Sequence, residues 1–242
     1  MSILSVFDKM KQKKAGCTAV IVAAGASRRM GADKLFLSLA GIPVIVRTLL
    51  QFQACADITE IIVVTREDKL TEVADYCKRY GITKATKILQ GGKERVDSSA
   101  AGVFAADRHS GYIAISDGAR PFVTPEIISA TVAAARKYGA ATPAVPVKDT
   151  IKAAENGVVT DTPDRSKLFA IQTPQVFEAD LIKGALTKAI RDGIPVTDDC
   201  SAVEAMGYPV HLVEGSYRNI KITTQEDMII SHAYLAEMRG DL

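Results

Sequence analysis

The chain has 242 residues, 30 lysines and arginines against 28 aspartates and glutamates, and a formal net charge of +2. That length can bury one full core, and so small a charge imbalance argues against a nucleic acid or a membrane surface as partner. No apolar run approaches the roughly 18 residues of a transmembrane helix, and the four cysteines and three histidines lack the spacing of a metal site or redox pair.

In chain order, residues 1–16 form a lead-in carrying Lys9, Lys11, Lys13 and Lys14. It has no apolar core ahead of a cleavage site, so it reads as a short helix or frayed segment and not as a signal peptide. Residues 17–242 read as a single domain. Cys17–Ala24 is an apolar run with the character of a buried strand. It delivers Ala23-Ala24-Gly25-Ala26-Ser27-Arg28-Arg29-Met30-Gly31, with Lys34 just beyond. Small residues let the backbone turn tightly and approach a ligand, and free N–H groups beside convergent cations suit a polyphosphate. Two better-known phosphate motifs are excluded. Ser27 and Met30 stand where a dinucleotide fingerprint needs glycine, and Gly31 is followed by Ala32 where a P-loop needs lysine.

Amphipathic helices are predicted at Val44–Ala56, Lys69–Tyr80, Val96–Ala106 and Pro125–Tyr138, the last with Thr124 as N-cap. They alternate with strands at Glu60–Thr65, Thr86–Gln90, Tyr112–Ser116 and Ala141–Pro146. The alternation predicts an α/β fold of three layers, a mostly parallel twisted sheet with helices on both faces. Ligands then bind beyond the carboxyl ends of the strands. Gly25, Gly91-Gly92 and Asp117-Gly118 each follow a strand, so they are expected to line one crevice. The rhythm breaks over 147–172, where short alternating runs and Gly157 predict a protruding β-arm. Helices at Ala179–Arg191 and Asp198–Met206, strands at Val210–Glu214 and Ile220–Ile222, and a terminal helix from Gln225 complete the reading. Cys17, Cys55, Cys77 and Cys200 fit a reducing cytoplasm in which thiols serve as small apolar groups.

Taken singly, the polar residues have two readings each. Gly91-Gly92 is a base-binding slot or a plain turn, and Ser98 a base contact or a helix-start residue. Asp117 is a ligand carboxylate or a turn cap. Lys221 and Arg165 are phosphate contacts or solvated charges, and Arg120 is a ligand contact or a structural ion-pair partner.

The blocks occur together and in order: Ala23–Lys34, Gly91–Ser98, Asp117–Pro121, Pro146–Thr150, Gln172–Gln175, Thr197–Asp199 and Asn219–Thr223. In this they resemble the 2-C-methyl-D-erythritol 4-phosphate cytidylyltransferase family of sugar-phosphate nucleotidyltransferases, from residue 17 to about 235. The resemblance implies a Rossmann-like nucleotidyltransferase fold whose 147–172 arm embraces a second subunit in a homodimer. It implies transfer of a cytidylyl group from CTP to a sugar-alcohol phosphate, with Mg2+ as cofactor. It makes Arg29, Lys34, Arg165 and Lys221 catalytic, Arg165 reaching the neighbouring subunit's substrate. Ala23, Ala24, Gly25, Gly91, Gly92, Ser98, Gly118 and Arg120 then bind CTP, while Asp117, Thr150, Thr173 and Thr197 surround the acceptor. Asp117 is also the candidate metal ligand, the alternative being a metal held by the CTP phosphates. Lys93 departs from the aspartate that many relatives carry there. A ribitol 5-phosphate cytidylyltransferase and a non-catalytic nucleotide-binding module are the competing readings.

Overall fold

The computed structural model describes residues 16–25 and 33–240. Residues 1–15 of the lead-in and the Arg28-Arg29 pair lie outside the described residues, while Gly16 opens the first strand. The first half of the chain runs β1 (Gly16–Ala23), a small hairpin of β2 (Ser38–Leu39) and β3 (Ile42–Pro43), α1 (Val44–Ala54) and β4 (Ile58–Thr65). Then come α2 (Leu70–Arg79), β5 (Ala85–Gln90), α3 (Arg95–Ala105), β6 (Ser110–Asp117), α4 (Pro125–Tyr138) and β7 (Ala140–Pro146). After these follow β8 (Ala153–Glu155), β9 (Val158–Asp161), β10 (Phe169–Ile171), β11 (Gln175–Glu178), α5 (Ala179–Asp192), α6 (Asp199–Glu204), β12 (His211–Glu214) and α7 (Gln225–Arg239).

Period-two alternation along the central strands makes two cores. Ala19, Ile21 and Ala23 of β1, Ile61 and Val63 of β4, and Tyr112 and Ala114 of β6 face one layer, with residues of α1, α2 and α4. Val20, Ile62, Val64, Ile113 and Ile115 face the other, with residues of α3, α5 and α6. Strands buried on both faces must lie in the middle of such a sandwich, which is why they read as near-continuous apolar runs. β1 pairs in parallel with β4 and β6, and β4 in parallel with β5. Their carboxyl ends therefore open on one side of the molecule.

The predicted helix Pro125–Tyr138 is α4, and Thr124 Oγ1 accepts from Ile127 N at 3.4 Å as its cap. Three features depart from expectation. First, β11 inserts antiparallel between β6 and β7, interrupting the parallel plan. Second, the 147–172 arm contains a hairpin, β8–β9, whose residues are all exposed, but its return strand β10 pairs with β7 in the main sheet. Third, Ile220–Ile222 is no strand. The segment curls through Asn219 N to Ser216 O (2.9 Å) and Ile220 N to Arg218 O (2.7 Å), which leaves Ile222 N to Ala119 O (2.9 Å) as its tie to the β6 loop.

Candidate active site

The carboxyl ends of β1 and β6 and the start of α3 enclose a cavity of about 750 Å3. Val22 to Gly25, Gly92 to Arg95 with Ser98, and Asp117 to Ala119 make three of its walls, and Lys34, Leu35, Lys221 and Thr223 close it. Close packing of small residues shapes the slot at its base. Gly91 N donates to Thr65 O at 2.7 Å, and Gly92 N to Ser98 Oγ at 3.2 Å. A Cβ on Gly91 would come within 2.7 Å of Ser98 Oγ and closer still to the Ala24 methyl. Only a hydrogen fits there, so the Gly91 backbone packs directly against the Ala24 methyl and the Ser98 hydroxyl. Glu94 and Asp97 form a capping box at the α3 N-terminus, with Glu94 N donating to Asp97 Oδ2 at 3.0 Å, and this fixes the direction in which α3 leaves the crevice.

A cluster of charge is centred on Asp117, at the end of β6. Lys221 Nζ lies 3.0 Å and Arg120 Nε 3.6 Å from Oδ2, and Arg95 Nη2 lies 3.9 Å from Oδ1. Burial by itself would raise the Asp117 pKa, but Lys221, Arg95 and Arg120 hold it below the usual carboxylate value. The carboxylate is thus ionised throughout the neutral range and holds Lys221 at the cavity wall. Thr173 supports it from beneath: its hydroxyl accepts from Asp117 N at 3.2 Å and lies 2.9 Å from Ser116 Oγ. Arg120 Nη1 donates to Asn219 O at 2.6 Å, so the Arg120 guanidinium also ties the Lys221 segment to β6.

A second charged pair anchors Arg95 from behind the cavity wall. Arg95 Nη2 donates to Asp199 Oδ2 at 2.7 Å. Asp199 opens α6, and Gln175 of β11 holds that helix start, its Oε1 accepting from Asp199 N (2.9 Å) and Cys200 N (3.0 Å) and its Nε2 donating to Asp198 Oδ2 (2.6 Å).

Of the residues singled out in the sequence, Ala23, Ala24, Gly25, Gly92, Ser98, Lys34, Asp117, Gly118 and Lys221 line this one cavity. Gly91 stands one position behind the wall. Arg120 does not line the cavity and is buried, where it braces Asp117 and Asn219. Thr173 likewise supports Asp117 from a buried position. Thr197 is exposed just before α6, its N–H donating to Ser201 Oγ at 3.1 Å. Thr150 and Arg165 lie on the exposed arm, where Arg165 Nη1 donates to Lys148 O at 2.6 Å. Arg29 lies outside the described residues. Arg95 and Asp199 lie within the Gly91–Ser98 and Thr197–Asp199 motifs, which by themselves point to no role for either. A charged residue in the first turn of a helix that follows a glycine pair is a signal for Arg95, whereas its partner lies 104 positions away.

A family model described as 2-C-methyl-D-erythritol 4-phosphate cytidylyltransferase matches residues 17–237. A protein of that name from Caldanaerobacter subterraneus subsp. tengcongensis is 47% identical over 226 residues, covering 90% of this chain and 98% of its own. Its namesake from Halalkalibacterium halodurans is 45% identical over 222 residues, covering 91% and 97%. Among solved structures, the Anaerococcus prevotii 4-diphosphocytidyl-2C-methyl-D-erythritol synthase superposes with a TM-score of 0.83 at 34% identity, covering 93% of this chain and 98% of its own. The Thermus thermophilus 2-C-methyl-D-erythritol 4-phosphate cytidylyltransferase does so with a TM-score of 0.73 at 32% identity, covering 89% and 97%. Fold, ordered motifs and relatives of matching length agree, and the chain belongs to the 2-C-methyl-D-erythritol 4-phosphate cytidylyltransferase family.

Proposed function

We propose that this crevice transfers the cytidylyl group of CTP to 2-C-methyl-D-erythritol 4-phosphate and releases pyrophosphate. The observation that carries the reading is the lining of the cavity: Lys34, Lys93, Arg95 and Lys221 stand there against Asp117 and Glu94, and Lys221 and Arg95 lie 3.0 and 3.9 Å from Asp117. A wall with more cations than carboxylates suits a triphosphate. An acceptor phosphate oxygen attacks the α-phosphorus in line, and negative charge grows on the equatorial oxygens and on the leaving pyrophosphate. Lysines fixed at the cavity wall stabilise that charge with little reorganisation. The acceptor phosphate is ionised at neutral pH, so positioning replaces general-base catalysis. Arg29 and Lys34 act on the phosphates from the β1 loop, and Lys221 from the opposite side.

The base lies in the slot between Ala23–Gly25 and Gly92–Ser98, where backbone carbonyls accept from the cytosine amino group. Uracil offers no such donor and leaves those carbonyls unpaired. Asp117, Thr173 and Thr197 mark the acceptor side, Thr173 by holding Asp117. Among the described residues no group of three or more His, Cys, Asp or Glu is placed to cage a metal. The ionised Asp117 carboxylate, together with substrate phosphates, does suit Mg2+. Asp117 and the CTP phosphates would hold that ion, which would supply further neutralisation of the triphosphate.

The arm is read as a dimer contact. Ile151, Val158, Val159, Phe169 and Ile171 are all exposed on it, and a second copy covering them removes that apolar surface from water. Thr150 and Arg165 then reach the partner's crevice. Four unpaired buried cysteines suit a reducing cytoplasm.

The test is pyrophosphate release from a matrix of CTP, UTP and ATP against methylerythritol phosphate, ribitol 5-phosphate and other sugar phosphates, with Mg2+. Release with CTP and methylerythritol phosphate, and little elsewhere, is expected. Equal rates with UTP refute the base slot, and preference for ribitol 5-phosphate refutes the acceptor.

A further inference from the structure

Asp199 is 1% exposed and forms no part of the cavity wall, yet its carboxylate holds the guanidinium of Arg95, which does. The two residues open two different helices. Arg95 is the first residue of α3 and follows directly on the Gly91–Glu94 turn, where CTP is read. Asp199 is the first residue of α6 and follows directly on Thr197 and Asp198. Each end is separately anchored. The α3 start has its Glu94–Asp97 capping box, and the α6 start has both the Gln175 side chain and the reciprocal Asp198–Ser201 box. Asp198 spends its carboxylate on Ser201 N (2.9 Å) and Gln175 Nε2 (2.6 Å). The Asp199 carboxylate is therefore the one at this turn that crosses to α3. The same Arg95 nitrogen stays within 3.9 Å of Asp117, so a shift of the guanidinium is felt at both carboxylates.

We propose that the Arg95–Asp199 ion pair is a strut joining the nucleotide loop to the acceptor turn, and that occupation of the loop by CTP sets the Thr197–Asp199 turn for the acceptor. This rests on the CTP reading of the crevice and goes beyond it by assigning Asp199, a residue remote from substrate, a positioning role. CTP phosphates entering beside Arg95 compete with Asp117 for its charge. Among the described residues, the 2.7 Å contact to Asp199 is the direct hydrogen bond through which that competition reaches α6. A purely structural pair would hold α6 in place whether or not CTP were bound.

The double variant R95Q/D199N removes both charges at once and so avoids leaving one buried and unpaired. Amide hydrogen exchange is followed with and without CTP, alongside steady-state kinetics. In the wild type CTP is expected to slow exchange both at 91–98 and at 197–201. In the double variant, with CTP raised to saturate the site despite the lost Arg95 charge, protection at 91–98 persists while the response at 197–201 disappears. The acceptor KM rises about tenfold or more, as loss of positioning at a distance does, with a smaller change in kcat. Should the double variant not fold, D199N alone, which leaves Arg95 in the wall, carries both readouts. A turn that still responds to CTP in the variant, or an unchanged acceptor KM, overturns the strut alone. Absence of CTP binding to the wild type overturns the CTP reading and the strut with it.

Discussion

Replacing Asp117 by asparagine tests the electrostatic design of the crevice, because it removes a charge and keeps the shape. Three cations face this carboxylate at 3.0, 3.6 and 3.9 Å. At about 4 Å and an effective dielectric near 20, each pair is worth roughly 4 kcal/mol before desolvation. The Lys221 side chain is 40% exposed, so its share is largely screened and is discounted. The pairs with Arg95 and Arg120 are better shielded from water, and breaking a buried pair on one side costs about 3–5 kcal/mol. At about 2–4 °C per kcal/mol for a domain of this size, the lower figure gives a fall in Tm of roughly 6–12 °C. The assay is thermal unfolding by circular dichroism at pH 7, with and without metal-free CTP. The triphosphate returns negative charge to the same cations, so CTP should raise the Tm of Asp117→Asn by more than it raises that of the wild type. A variant melting within a degree or two of the wild type, or one stabilised less by CTP, would refute the view that Asp117 neutralises a preassembled cation cluster.

Lys34→Ala and Arg29→Ala should each lower kcat by about 10²–10³, the usual effect of losing one preorganised charge, with little change in Tm, while Arg28→Ala is milder; steady-state rates decide, and Arg28→Ala as the worst of the three would assign the wrong arginine. Glu60, at the opposite end of the sheet, accepts from Thr86 Oγ1 (2.6 Å), Asp107 N (2.9 Å), Thr18 Oγ1 (2.8 Å) and Lys87 Nζ (3.1 Å). Burial opposes its charge, and those donors nevertheless hold its pKa below the ordinary 4.5. Its stabilisation is therefore present above that ordinary value and is lost as pH falls through the folded one. Tm measured against pH should drop on acidification for the wild type and less steeply for Glu60→Gln. Mixing inactive Arg165→Ala with inactive Lys34→Ala should restore about a quarter of the sites after free exchange of subunits, by symmetry counting. Exchange seen by mass without regained activity would falsify sharing in trans.

The sheet core was legible because alternation is a local property. The runs around Ala19–Ala23, Ile61–Val64 and Tyr112–Ile115 showed apolar residues without a polar face, and Thr124-Pro125 announced α4. β11 was not legible. Gln175–Glu178 is a short stretch whose strand character comes from lying between β6 and β7. The tip of the arm carried a signal that passed unread: Asn156 and Gly157 both have positive φ, +50° and +80°, the pattern of an Asn-Gly hairpin turn. In the site, the glycines of the loops could be placed because Gly25, Gly91-Gly92 and Gly118 each follow a strand end, whereas Lys34 and Lys221 were legible only through the ordered motifs. Arg120 could not, since a buried brace and a ligand contact look alike in sequence and differ only in which way the guanidinium turns. The Arg95–Asp199 pair is long-range, and neither partner announces the other.

The central claim is that an acceptor phosphate oxygen attacks the α-phosphorus of CTP within this crevice. It is tested most directly by running the reaction with the non-bridging oxygens of the methylerythritol phosphate labelled with heavy oxygen, and following the products by phosphorus NMR. The account predicts that the label stays wholly in the diphosphate-linked product, one labelled oxygen bridging the two phosphorus atoms, and that the released pyrophosphate is unlabelled. Label in the pyrophosphate, or CTP consumed without a diphosphate-linked product, would contradict it.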